Sequence, residues 1–117
     1  MTRFAQALDL VDDPAMIVAY ERHHRAVWPE VERALRDIGI TSMRIYRAGT
    51  RLFMVCEAAD GFDPARDFQR FAESPRGAEW DALMRTYQKP VPGAPAGAWW
   101  TPMNLVYDLS WSEEGGA

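Results

Sequence analysis

The sequence predicts an α+β protein of the ferredoxin-like type, in which an antiparallel sheet carries helices on one face. Two observations support this fold class. Segments of strand length alternate with helical stretches in the order β-α-β-β-α-β, and each helical stretch starts with a capping residue followed by proline. We expect one domain spanning residues 1–117. Because the other face of such a sheet is uncovered, we also expect a homodimer that packs two sheets face to face.

The first strand is predicted at residues 3–10 (RFAQALDL), where three apolar side chains share one face: Phe4, Leu8 and Leu10. A helix follows, because Asp13 supplies an N-cap and Pro14 suits the first helical position. Pro29 interrupts this helix, which predicts a kink or a restart near Trp28. Its apolar stripe falls within an arc of about 100° and consists of Ile17, Tyr20, His24, Val27, Trp28, Val31, Leu35 and Ile38.

A β-hairpin is predicted next, with strands at residues 41–47 (TSMRIYR) and 51–58 (RLFMVCEA) around a tight turn. The second helical region is divided in two, because it contains two more pairs of a capping residue and a proline, Asp63-Pro64 and Ser74-Pro75.

The last part of the chain contains a loop, a strand and a tail. Residues 89–98 (KPVPGAPAGA) are too rich in proline and glycine for regular structure, so they predict a loop. Residues 103–111 (MNLVYDLSW) predict the final strand, and residues 112–117 a frayed tail.

Composition and charge exclude several function classes. Hydrophobic residues make up 48% of the 117 residues and charged residues 26%, which is ordinary for a soluble globular protein. The net charge of −4 argues against nucleic acid and anionic membranes as partners. Cys56 is the only cysteine, and no apolar run resembles a signal peptide or a membrane span, so we expect a cytoplasmic protein.

Two polar residues on the apolar stripe of the first helix are the main candidates for function. Tyr20 and His24 lie one turn apart on the same face, and Trp28 lies one further turn along. One interpretation is a buried histidine that is hydrogen-bonded to the tyrosine. The other is a pocket in which His24 acts as an acid/base group with Tyr20 beside it and Trp28 as an apolar wall.

Tryptophan is abundant, and three of the five lie near the proline-rich loop: Trp80, Trp99 and Trp100. A pair of indoles that directly follows a flexible loop is harder to explain by core packing than a single one. Indole rings stack on the C–H face of a sugar or on another flat ligand, which predicts a partly apolar small molecule as substrate.

Three charged residues are weaker candidates for holding substrate hydroxyls. Glu57 lies on a central hairpin strand where an unpaired carboxylate is unfavourable, and Arg44 on the neighbouring strand is its predicted salt-bridge partner. Asp81 follows Trp80 on a helix and has a solvated surface position as its simpler interpretation. No metal site is expected, because His23 and His24 are adjacent and project about 100° apart.

The stretch YERHHRAVWPE (residues 20–30), followed by strands ending in IYR and containing LFMVCE and by a helix carrying Trp80, resembles the L-rhamnose mutarotase family. The resemblance runs from Phe4 to about Trp80 and resumes at the last predicted strand. It implies a dimeric α/β-barrel type of ferredoxin-like protein that interconverts the α and β anomers of a 6-deoxy-L-hexose without metal or cofactor.

Carried over by position, the resemblance places the catalytic histidine at His24, a pocket tyrosine at Tyr20 and a pocket tryptophan at Trp80. The family often has two adjacent tryptophans where this chain has Trp80-Asp81, and its loop is shorter. L-Rhamnose and L-fucose therefore both stay open as substrates. The implied chemistry needs one group near neutral pKa to move a proton between the C1 hydroxyl and the ring oxygen, and an imidazole meets this requirement.

Two other function classes are compatible with the same residues. The dimeric α/β-barrel fold also hosts cofactor-free monooxygenases, in which the tryptophans and His24 would line a pocket for a flat aromatic substrate. A non-catalytic dimeric small-molecule-binding protein, with a structural pair of His24 and Tyr20, is the third interpretation.

Overall fold

The computed structural model describes residues 1–112 as a four-helix, one-sheet α+β protein. The elements in chain order are β1 (Thr2–Leu10), α1 (Pro14–His24), α2 (Pro29–Asp37), β2 (Ile40–Ala48), β3 (Arg51–Ala58), α3 (Pro64–Glu73), α4 (Pro75–Arg85), β4 (Gln88–Lys89), β5 (Thr101–Pro102) and a 3₁₀ turn at Leu109–Trp111.

The sheet is antiparallel throughout, with the order β2-β3-β1 and with β1 at its centre. Two short strands share the outer edge of β1: β4 pairs with Asp9 and Leu10, and β5 pairs with Gln6 and Ala7. All four helices connect strands on the same side of the sheet, so the predicted ferredoxin-like fold class is confirmed.

The predicted interruption of the first helical region is confirmed. The helix α1 ends at His24, and α2 begins at Pro29 after four residues without helical structure. Asp13 caps α1 by accepting hydrogen bonds from the backbone N–H groups of Ala15 and Met16. Asp63 and Ser74 cap α3 and α4 in the same way, as their sequence positions predicted. These caps fix where α1, α3 and α4 start and therefore which of their side chains face the sheet, whereas α2 starts at Pro29 without a side-chain cap.

The two faces of the sheet have different surroundings. Alternate residues of β1 and β3, such as Leu8 and Leu52, are fully buried beneath the helices. The opposite face carries Val55 and Tyr46, whose side chains are 44% and 53% exposed. Helices cover only the first face, so the core and every cavity between helices and sheet lie on that side.

The final strand predicted at residues 103–111 is wrong. The chain leaves the sheet after Met103, whose backbone N–H still bonds to the Ala5 carbonyl oxygen, and residues 104–108 form no regular structure. The apolar side chains of Leu105 and Tyr107 are exposed instead of buried. An alternating pattern of apolar and polar residues shows that a segment could lie on a half-buried sheet. A strand also needs a free sheet edge to pair with, and β4 and β5 already occupy the edge of β1.

The predicted tail over residues 112–117 lies outside the described residues except for Ser112. Within residues 1–112, no helix is long and apolar enough to cross a membrane.

Gly77, in the first turn of α4, sets how closely α4 approaches the end of α3. A Cβ atom at this position would collide with the carbonyl oxygen of Phe71 and with the Ser74 side chain. We expect Gly77→Ala to lower the free energy of unfolding by about 2 kcal/mol because the backbone must shift, as measured by urea denaturation. Helix propensity alone predicts the opposite sign, a gain of about 1 kcal/mol.

The matched control for this prediction is Ala78→Gly at the next, exposed position of α4. It should cost about 1 kcal/mol through helix propensity alone. If Gly77→Ala raises the urea midpoint, the close approach of α3 and α4 does not constrain this position.

Candidate active site

A cavity of about 600 Å³ opens between the helix-covered face of the sheet, the helices and the end of the proline-rich loop. This volume is typical of small-molecule sites, which span roughly 300–1,000 Å³. Most of its wall is apolar, and the polar side chains that reach it are few: Gln6, Tyr20, His24, Gln69, Asp81, Arg85 and Gln88. Within residues 1–112, acid/base and hydrogen-bonding side chains meet an apolar wall in this cavity.

His24 is held in one tautomer by the last turn of α1. Its Nδ1 lies 2.9 Å from the backbone carbonyl oxygen of Tyr20. A carbonyl oxygen can only accept a hydrogen bond, so Nδ1 carries the proton and Nε2 carries the free lone pair. Burial lowers the pKa of His24, the Tyr20 carbonyl partly offsets this, and the nearby His23 lowers it further. Burial therefore favours the neutral imidazole, which has the form of a base.

Tyr20 lies beside His24, with 4.3 Å between ring centroids. The side chain is only 3% exposed, and burial raises its pKa to about 12, against a smaller lowering effect of Gln88. The phenol therefore keeps its proton over the physiological pH range. The interpretation that the two side chains hydrogen-bond to each other needs correction, because His24 bonds to the main chain of Tyr20 and not to its hydroxyl group.

Gln88 links the Tyr20 hydroxyl to Trp99. The amide nitrogen of Gln88 lies 3.4 Å from the Tyr20 hydroxyl oxygen, and its amide oxygen accepts a 2.8 Å hydrogen bond from the indole N–H of Trp99. Gln88 is 7% exposed and belongs to β4, so the main chain of the sheet fixes its position. A chain of hydrogen bonds thus connects the loop end to the buried phenol.

Trp80 forms the wall of the cavity opposite the sheet, as its position on α4 allows. Its ring packs edge-on against His24, with 5.5 Å between centroids, and against Trp28, with 5.2 Å between centroids. Trp28 does not line the cavity; it supports Trp80 from behind and is itself covered by the Arg76 guanidinium at 4.1 Å. The prediction that Trp28 is a pocket wall is therefore corrected to a supporting role.

Asp81 and the tryptophan pair, which the sequence suggests as substrate contacts, line the cavity. Asp81 is half-buried, and burial raises its pKa while Arg85 partly lowers it. Trp99 and Trp100 both line the cavity, and the Arg85 guanidinium lies 5.0 Å from the Trp99 ring centroid. These side chains give this part of the cavity wall an aromatic and amphipathic character.

Glu57 and Arg44 do not line this cavity, and the predicted salt bridge between them is wrong. Cys56 points into the core, and Glu57 therefore points to the opposite face of the sheet. Its partner is Arg3 on β1, at 3.1 Å, and not Arg44. Arg44 lies opposite Val55 in the register and is exposed on that same far face.

Three glutamines that line the cavity were not predicted from the sequence: Gln6, Gln69 and Gln88. Gln6 is 7% exposed, and the thioether of Met54 at 3.8 Å is its only side-chain hydrogen-bond partner within residues 1–112. A signal for it existed, because it is the polar residue on the strand face that carries Phe4 and Leu8. Gln88 had no such signal, since it lies in a two-residue strand between a helix and a loop.

Among residues 1–112, no group of three or more histidine, cysteine, aspartate or glutamate side chains is arranged to hold a metal ion.

Comparison with known proteins identifies relatives of the whole chain. Residues 3–109 match the L-rhamnose mutarotase family. A UPF0734 protein of Dictyostelium discoideum is 49% identical over 115 residues, covering 95% of this chain and 92% of the relative. An L-fucose mutarotase of Xanthomonas campestris is 42% identical over 112 residues, covering 94% and 90% of the two chains.

Solved structures support the fold. The crystal structure of an L-rhamnose mutarotase from Formosa agariphila superposes with a TM-score of 0.69 and 19% identity, covering 93% of this chain and 99% of that one. Tetracenomycin F2 cyclase of Streptomyces glaucescens, a polyketide cyclase, superposes with a TM-score of 0.57 and 21% identity, covering 92% and 96%. Both likenesses extend over nearly the full described chain.

The burial of His24 predicts a pKa below 6.5, the value of the free side chain. We expect an NMR titration of the ring protons to show this, with His24→Gln identifying the signal. Because the positive charge of His23 contributes to the lowering, His23→Asn should move the His24 pKa upward. A His24 titration at or above 6.5 would show that water reaches the ring and that the cavity does not desolvate it.

Proposed function

Because this chain belongs to the L-rhamnose mutarotase family, whose members interconvert sugar anomers, we propose that it interconverts the α and β anomers of a 6-deoxy-L-hexose. The observation that carries the proposal is the pairing of a histidine, whose pKa burial lowers, with a tyrosine, whose pKa burial raises, at one apolar cavity. The family assignment supports a carbohydrate isomerase, and the two side chains supply the acid and base that ring opening requires.

In the proposed reaction His24 acts as the base. Its Nε2 takes the proton from the C1 hydroxyl group, the C1 carbonyl bond forms, and the bond between C1 and the ring oxygen breaks. The ring oxygen receives a proton from the Tyr20 hydroxyl or from a water molecule. Rotation about the C1–C2 bond presents the other face of the aldehyde, and the reverse proton transfers close the ring as the other anomer.

The lowered pKa of His24 suits this role. A base must be unprotonated at the working pH, and burial favours the neutral imidazole. Positioned acid/base catalysis contributes roughly 10²–10⁴-fold in rate. That factor is sufficient, because anomers already exchange slowly in water without a catalyst.

The apolar wall of the cavity supports a 6-deoxy sugar as substrate. Trp80 would stack on the C–H side of the sugar ring, and five aliphatic side chains also line the cavity: Val27, Val31, Leu35, Met43 and Ile45. A methyl group at C6 fits such a surface, whereas a C6 hydroxyl would be buried without a partner. The L-fucose mutarotase relative, similar over nearly the full length, makes L-fucose the first sugar to test, with L-rhamnose beside it.

Anomer exchange measured by NMR saturation transfer tests this proposal. We expect faster exchange for L-fucose or L-rhamnose than in buffer, and little for D-glucose. L-Galactose differs from L-fucose only by its C6 hydroxyl, so it is the matched substrate and should exchange about 10- to 100-fold less efficiently. His24→Gln should lower the rate about 10²–10⁴-fold.

The control variant is His23→Gln. His23 is the neighbouring residue on α1, where it bonds to the Tyr87 hydroxyl at 3.1 Å and does not line the cavity. It should retain activity within about threefold. If no sugar exchanges faster than in buffer, or if folded His24→Gln is as active as the wild type, the proposal fails.

A homodimer is the second part of the proposal. The helix-free face of the sheet presents Tyr46, Phe53 and Val55 around the ion pairs Arg3–Glu57 and Arg51–Asp9. After the last strand, residues 105–107 (Leu-Val-Tyr) carry three more large apolar side chains that are 65% exposed or more. Apolar surface of this extent is uncommon on monomers, and a second copy of the same face would cover it.

A charge placed at the centre of this face should separate the protomers. We expect Val55→Lys to convert a dimer into a monomer in size-exclusion chromatography with light scattering, since the lysines of the two copies would face each other. Val18→Lys is the matched control, because Val18 is 56% exposed on α1, away from the sheet. A monomeric wild type, or a Val55→Lys protein that remains dimeric, would contradict this interface.

A further inference from the structure

We propose that Trp99 is a positioning residue, which orients the Gln88 amide so that the Tyr20 hydroxyl directs its proton into the cavity. The inference rests on the proposed function and adds to it a group that acts on the reaction through two other side chains. Three hydrogen-bonding partners carry it: the indole N–H, the glutamine amide and the phenol.

The orientation of the Gln88 amide follows from the chemistry of the indole. An indole N–H is a donor only, so the amide atom that faces Trp99 at 2.8 Å must be the oxygen. The amide nitrogen is then turned towards Tyr20, where it lies 3.4 Å from the hydroxyl oxygen. Trp99 thereby excludes the flipped amide, which would place two donors face to face.

The orientation of the Gln88 amide determines whether the Tyr20 hydroxyl can donate its proton into the cavity. An amide N–H donates, so the Tyr20 oxygen accepts from Gln88 and its own proton is free to point elsewhere. Tyr20 is 3% exposed and lines the cavity, so the cavity is the place where that proton can find an acceptor. In the flipped amide, the Gln88 oxygen would accept the phenol proton and withdraw it from the substrate. The Trp99 indole thus keeps the Tyr20 hydroxyl free to donate its proton into the cavity.

The main chain and one cation hold Trp99 in place. The Arg85 guanidinium, at the end of α4, lies 5.0 Å from the indole centroid. Two residues after Trp99, Thr101 pairs with Ala7 of the sheet. The loop before it turns at Gly93 and Gly97, both at a φ of +79°, a conformation that favours glycine. The docked loop end is therefore tied to the phenol through a single glutamine.

A double-mutant cycle tests whether Trp99 acts through Gln88. We expect Trp99→Phe, which keeps an aromatic ring and removes the N–H, to lower kcat for anomer exchange about 10-fold with KM within about twofold. Gln88→Leu should lower kcat by a similar factor. The double variant should be no slower than Gln88→Leu alone, because without the amide the indole N–H has nothing to orient.

Gln88→Glu supplies a readout that a packing role would not change. An ionised glutamate only accepts hydrogen bonds, so the Tyr20 proton would turn towards it and away from the substrate. Protonation of that glutamate restores one O–H donor. We therefore expect the activity of Gln88→Glu, divided by that of the wild type at the same pH, to rise as the pH falls, whereas the ratio for Gln88→Leu should stay constant.

The controls separate this inference from the proposed function. Trp111→Phe removes the indole N–H of a half-exposed residue that does not line the cavity, and it should leave kcat within about twofold. Thermal unfolding should show that every variant is folded. If the kcat losses of the two single variants multiply in the double variant, or if the activity of Gln88→Glu relative to the wild type does not change with pH, the positioning role is overturned. Anomer exchange by the wild type would still support the proposed mutarotase function in that case. Absence of exchange in the wild type would overturn both.

Discussion

Eight residue pairs, from Thr2 opposite Ala58 to Asp9 opposite Arg51, hold β1 antiparallel to β3, and the site depends on this register. It sends Gln6 to the cavity side, and a shift by one residue would exchange the two faces of the sheet. The free edge of β1 then carries β4 and β5, which bring in Gln88 and the residues that follow the loop. One pairing therefore determines where the polar groups of the cavity stand.

The sequence was most informative where local chemistry decides the structure. A capping residue followed by proline predicted the starts of α1, α3 and α4, because the cap satisfies backbone N–H groups whatever the tertiary context. Tyr20 and His24 could be found because they are polar residues on an apolar helical stripe, where burial requires a partner or a cavity. Trp80 followed from the family resemblance, and the structure places its ring against His24.

The errors share a different physical origin, since each depended on which face or edge a residue meets. Glu57 and its predicted partner Arg44 both lie on strands, but the face they occupy is set by the β1–β3 register, which also supplies Arg3 as the partner. Residues 103–111 have the alternating pattern of a strand, but the edge of β1 is already occupied by β4 and β5. Gln88 could not be predicted from the sequence, because its place in the site comes from contacts with Tyr20 and Trp99, which lie 68 and 11 residues away in the chain.

The proposed base and the hydrogen-bonding network of the neighbouring tyrosine are built on elements of different character. His24 is fixed by a main-chain carbonyl within a helix, whereas Trp99 arrives at the end of a proline- and glycine-rich connection. Loops of this kind tolerate substitution, insertion and deletion far better than helices do. Descendants of this chain can therefore diversify between residues 90 and 98, and so change this part of the cavity wall, while inheriting His24, the proposed base, unaltered.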